Sequence, residues 1–303
     1  MKKNTMMRLA SFLLIAVLIT TSAISGTYAK YVTSDSASDT ARVAKWGVTV
    51  MVSGELFGTD YNAVNESEKG NEITAQTSTS VSALDSDDVV APGTKNTEGL
   101  TIAIDGKPEV KTKITAEEST VAKEIMLAAN TYGVMVKATG LNADTNVATY
   151  YTKDDDGKFA LATGNWASGT DYYELHDSVT VQNDYYPLTW TVVTTGSGFT
   201  APTKTRLANI QDEMVAGLNN KEFNAETDLA GSYKLTWEWK FSNENIYADG
   251  ADTILGNLQA VAASDFEGEV VKLIDGNSYK AVESSDYELG IDFGFKVTVT
   301  QVD

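Results

Sequence analysis

The chain has 303 residues, a formal net charge of −19 and no cysteine. The missing thiols exclude disulfides, thiolate metal sites, a cysteine nucleophile and a cysteine for lipid attachment. The acidity argues against nucleic acid or an anionic membrane surface as a direct partner, because both would be repelled.

Lys2, Lys3 and Arg8 precede an apolar run from Leu9 to Ile19 that only Ser11 interrupts. Thr27-Tyr28-Ala29 then places small residues at the −3 and −1 positions that a signal peptidase reads. The run falls well short of the roughly 20 residues needed to span a bilayer. Residues 1–29 therefore read as a secretion signal cut after Ala29, with Thr27 and Ala29 as the recognised positions. Contact with a membrane is expected only through the uncleaved signal. Its removal takes away three basic residues and no acidic ones, so the exported chain carries −22. The C-terminus has no apolar tail or basic anchor, so retention near a cell would be non-covalent.

Residues 30–44 read as an extended tail. Lys30, Tyr31, Val32 and Thr33 form its start, and Ser34 to Thr40 is small and polar. Two readings stand for it: a donor strand for another subunit, or a plain leader. From Lys45 onward, period-two alternation dominates, the pattern of half-buried strands. Trp46, Val48, Val50 and Val52 share one face of the first such segment. Glu66–Asp88 lacks periodicity and reads as a surface loop. Strands are expected at Leu100–Ile104, Glu109–Ile114, Tyr132–Ala138 and Leu188–Val193, with Asp105-Gly106-Lys107-Pro108 as a turn between the first two. Ala116–Asn130 is compatible with helix or strand. Thr149–Leu175 reads as an inserted β unit in which Tyr150-Tyr151 and Tyr172-Tyr173 bracket a turn at Asp155-Asp156-Gly157. Those tyrosine pairs suit either an exposed adhesive surface or ordinary cross-strand packing. After Pro202, the spacing of Leu207, Ile210, Met214 and Leu218 predicts a helix over 203–218, capped by Thr203 and covering one end of the strands. Tyr233, Leu235, Trp237, Trp239 and Phe241 predict a strong strand, and Ile291 to Val299 another.

Catalytic signals are weak. His176 is the only histidine, so a HExxH zinc pair cannot be made, and no Gly-x-Ser-x-Gly elbow is present. Asp154-Asp155-Asp156-Gly157 fits an EF-hand poorly: with Gly157 at the sixth position, threonines fall at the first and twelfth. It reads as a hairpin turn. No catalytic residue, metal site or cofactor is expected.

Ser25 to Asp35, continuing through Ala41-Arg42-Val43-Ala44-Lys45-Trp46, resembles the processing region of exported bacterial proteins of the TasA/camelysin family, which the signal peptidase SipW handles. Leu235-Thr236-Trp237-Glu238-Trp239, Ala251 to Leu258 and the terminal Val297 to Asp303 are similar to segments of clostridial members. The matches cover about a quarter of the chain. The resemblance implies a secreted or cell-surface subunit of biofilm matrix fibres, whose partner is itself as a homopolymer, together with other matrix proteins. It implies assembly by strand addition through the N-terminal tail. Proteolysis of the camelysin kind would need chemistry that one histidine does not supply, and a monomeric adhesin is the main alternative. The expected architecture is all-β: a jelly-roll-like antiparallel β-sandwich over 45–303, with an inserted β lobe at about 145–180 and one or two short helices.

Overall fold

A computed structural model describes residues 44–57, 60–63, 80–82, 89–196, 198–240 and 246–302. The chain is mostly antiparallel β-structure with two helices among the described residues. The first sheet contains β1 (Thr49–Ser53), β2 (Asp60–Ala63), β3 (Ser80–Ser82), β4 (Thr94–Asp105), β11 (Leu188–Thr195) and β13 (Gly231–Trp239), in the order β11-β13-β4-β2-β3. β1 lies on the same side of β4 as β2 and pairs with its C-terminal half. The second sheet is smaller, with β12 (Lys221–Phe223), β5 (Thr112–Lys123) and β17 (Asp292–Gln301) in that order.

The alternation predicted for residues 233–239 holds. Tyr233, Leu235, Trp237 and Trp239 are all buried, while Lys234, Thr236 and Glu238 face outward. Burying four such side chains contributes on the order of 10 kcal/mol before ordering costs, at about 1.5–3 kcal/mol each. β4 is longer than the Leu100–Ile104 run suggests, because a bulge joins its two halves: Leu235 pairs with Leu100, but Trp237 pairs with Asn96. Gly99 makes the bulge feasible. Its φ is +63°, and a Cβ there would sit 2.2 Å from the Leu235 carbonyl oxygen. Ile102 and Ile104 from the first sheet meet Ile114 and Ala116 from the second in one core. Residues 105–108 carry the chain from one sheet to the other.

The second body is a closed six-stranded barrel in the order β10-β7-β14-β15-β9-β8. Its strands are β7 (Asn130–Lys137), β8 (Tyr151–Lys153), β9 (Lys158–Leu161), β10 (Tyr173–Val181), β14 (Glu269–Asp275) and β15 (Ser278–Ala281). The barrel thus draws on residues before and well after the 145–180 span expected for the lobe. Its interior is filled by Met135, Tyr151, Phe159, Val271 and Tyr279. β7 serves two cores by its period of two, with Met135 inside the barrel and Tyr132 and Val134 in the main core. β6 (Met126–Leu127) pairs with β16 (Tyr287–Glu288).

The ambiguous span Ala116–Asn130 is strand, entering β5, β6 and the first residue of β7. β3 falls inside the stretch read as an aperiodic loop. The expected helix after Pro202 is α1 (Leu207–Leu218), with Leu207, Ile210, Met214 and Leu218 buried as the spacing predicts. Its start differs: Arg206 is the N-cap and offers no side-chain cap. Thr203 instead turns to Glu213, with both its N–H and its hydroxyl donating to that carboxylate. A second helix, α2 (Ile246–Ala262), buries Ala251, Ile254, Leu255 and Leu258 against the main core. Its apolar spacing of three and four was there to be read in the sequence.

Candidate functional site

Edges decide what a β-rich body can do, because an end strand carries main-chain N–H and C=O groups ready to pair with another chain. The ends of the two sheets are treated differently. α1 lies against β5, where the buried Gln211 accepts from the Ala122 N–H and donates to the Thr120 and Gly294 carbonyls. Asn219 accepts from the Ala116 N–H. Side chains thus take up the main-chain groups of β5 that a neighbouring strand would otherwise claim. At the far end of the first sheet, β11 keeps its inward residues Leu188 and Trp190 buried.

β1 and β17 are different. Among the described residues β1 pairs only with β4, β17 pairs only with β5, and the two strands run close to one another. Val50 lies opposite Ile104 and Val52 opposite Ile102, so both valines share the inward face of the sheet. The isoleucines are buried, yet exposure on β1 grows from half-buried Val48 to 39% at Val50 and 64% at Val52. Facing them, Phe295, Val297 and Val299 of β17 are only partly buried. The alternation of β1 is therefore as expected, whereas its burial is not. The second sheet is one strand too narrow to cover it.

The gap ends in a pocket of about 340 Å³ lined by Leu56, Phe57, Val90, Ile125 and residues 289–291. Leu56 is held there by two donors to its carbonyl, Asn96 Nδ2 and Trp237 Nε1. At the opposite end, the chain leaves the body through a two-way clamp. The Lys45 N–H donates to the Glu109 carboxylate, and the Glu109 N–H donates to the Lys45 carbonyl. Val302, just after β17, is tied to Lys111 nearby. The N-terminal segment thus departs beside the far end of the uncovered gap. Thr27, Ala29, Lys30, Tyr31, Val32 and Thr33 lie outside the described residues.

The other singled-out residues are structural in their surroundings. Tyr151 and Tyr173 are cross-strand partners, Tyr151 packs edge-on to Tyr279, and Tyr173 packs edge-on to Phe159. Tyr172 is buried, and its hydroxyl accepts from the Ala167 N–H. These rings make the barrel's cores rather than an adhesive surface. Asp154 opens the β8–β9 hairpin, where its Oδ1 accepts from the N–H groups of Asp156 and Lys158. His176 sits exposed beside a bulge in β10, 3.3 Å from Glu174. Among the described residues no three His, Asp or Glu side chains gather as a metal would require.

Two buried carboxyls escaped the sequence reading. Glu124, between β5 and β6, accepts from the indole N–H of Trp190 and from the Leu207 N–H at the start of α1. Burial pushes its pKa up. Asp252 on α2 accepts from the Tyr185 hydroxyl and the Trp239 indole, and burial pushes it from 3.8 to about 6. Both carboxyls pin helices to sheets.

No family model, curated protein or solved structure matches the chain. Among the described residues no helix is long and apolar enough to cross a membrane.

Proposed function

We propose that this is a secreted, non-enzymatic structural subunit of extracellular fibres, in a biofilm matrix or cell-surface coat, with a jelly-roll-type sandwich as its body. Subunits join by strand addition: the N-terminal segment that begins at Lys30 in one copy lies along β17 of the next. Main-chain pairing supplies much of the affinity, and alternate side chains set the register.

The observation that carries this reading is the row Val48, Val50 and Val52, which faces inward but is left increasingly open beside the unpaired edge of β17. An added strand on β17 would cover those valines. The contrast with β5, whose main-chain groups are met by α1, also supports it. A head-to-tail contact of this kind does not close on itself, so it propagates into a filament. Purified mature protein viewed by electron microscopy should form filaments whose growth salt promotes, because screening weakens repulsion between subunits of charge −22. Monodisperse monomers at every ionic strength would overturn the proposal.

A further inference from the structure

We infer that the pocket at the end of the β1–β17 gap is an anchor site for an aromatic side chain, and that its occupant is Tyr31 of a second copy. This inference rests on the strand-addition reading and adds the register and direction of the incoming strand.

The pocket lies where β1 has ended and β17 is about to begin: Leu56 and Phe57 follow the first, and Leu289 and Ile291 precede the second. Its wall is continuous with the most exposed inward valine, Val52, so an apolar strip leads into an apolar cavity. At about 340 Å³ it is near the lower end of the roughly 300–1,000 Å³ range of small-ligand pockets. That size admits one large side chain.

Between the expected N-terminus at Lys30 and the clamp at Lys45, Tyr31 is the only aromatic residue. A tyrosine suits an open apolar pocket, since its ring is buried while its hydroxyl stays wet at the mouth. Length agrees. Tyr31 lies 14 residues before Lys45, an extended reach of about 46 Å at about 3.3 Å per residue. β17 has 10 residues, or about 33 Å. With Tyr31 in the pocket, the segment can follow the whole edge of β17 and keep about four residues to cross between bodies. The direction follows as well: the segment runs from the pocket toward Gln301, parallel to β17.

The absence of native cysteine allows a direct test with single-cysteine variants of the mature chain. Tyr31→Cys protein is assembled with an equal amount of Leu289→Cys protein, oxidised, and the linked peptides identified by mass spectrometry. A parallel mixture uses Gln301→Cys. The inference expects the 31–289 link between copies and little 31–301 link. Filaments that give the 31–301 link would overturn the anchor and its direction while leaving strand addition standing. Failure of the wild-type chain to form filaments would overturn both. Tyr31→Ser should slow elongation about tenfold or more, whereas Tyr31→Phe should stay within about twofold. Equal elongation by Tyr31→Ser and wild type would also sink the inference.

Discussion

Val52 lies directly opposite Ile102 in the β1–β4 ladder, yet Val52 is 64% exposed and Ile102 only 3%. Cross-strand partners share a face, so the two should be covered alike in a complete sandwich. The discrepancy locates the edge at which the body is unfinished.

Val52→Asp should therefore separate assembly from folding. An exposed substitution of this kind changes stability by about 0.5 kcal/mol or less, but a carboxylate would be buried unpaired beneath an added strand. Denaturant unfolding should show an almost unchanged midpoint, while light scattering shows no elongation. Ile102→Ala is the control with the opposite emphasis, costing about 2–5 kcal/mol by opening a core cavity.

Glu124 caps α1 from a distant part of the chain, because Arg206 supplies no side-chain cap. Both its carboxylate oxygens accept, one from Leu207 N–H and the other from Trp190 Nε1. Glu124→Gln turns one acceptor into a donor facing a donor. The expected loss is about 1–3 kcal/mol, read as a lower urea midpoint. An unchanged midpoint would show that this cap contributes nothing.

Asp252 gives the fold a pH dependence of defined sign. Its folded pKa, about 6, lies above its ordinary value of 3.8, so the folded chain holds the proton more tightly than the unfolded one. This group's contribution improves as pH falls from about 7 through 6 toward 4, and is lost as pH rises through 6. Asp252→Asn keeps an oxygen for Tyr185 and Trp239 and removes the charge. It should stabilise the protein by about 1–2 kcal/mol at pH 7, after allowing for solvent screening, and flatten the thermal midpoint between pH 5 and 7. A variant that is less stable at pH 7 would contradict this account.

His176→Ala should shift the unfolding midpoint by less than about 1 kcal/mol, since it removes only an exposed pair with Glu174. It should leave filament growth as it was. Loss of a hydrolytic activity in the folded variant would overturn the non-enzymatic reading.

The sequence disclosed strands better than it disclosed their surroundings. The alternation at Tyr233–Trp239 and the helical spacing at Leu207–Leu218 were legible because one apolar face repeats at a fixed period. The same alternation in Val48, Val50 and Val52 named the inward face of β1 correctly but not its exposure, which depends on how many strands the opposite sheet has. Tyr151 and Tyr173 carried no sign that they would pair across strands of a barrel, because β14 and β15, which complete it, lie about a hundred residues later. Thr203 has the chemistry of a cap, but Glu213 holds it away from the helix start, and Glu124 takes that role by a tertiary contact that no local motif encodes.

The most direct measurement compares the mature chain 30–303 with a chain lacking Lys30–Thr40, both purified and viewed by electron microscopy after incubation at increasing salt. The account predicts filaments from the first and folded, soluble monomers from the second, with circular dichroism and thermal midpoints alike. Filaments of equal length and number from the shortened chain would contradict strand addition by the N-terminal segment.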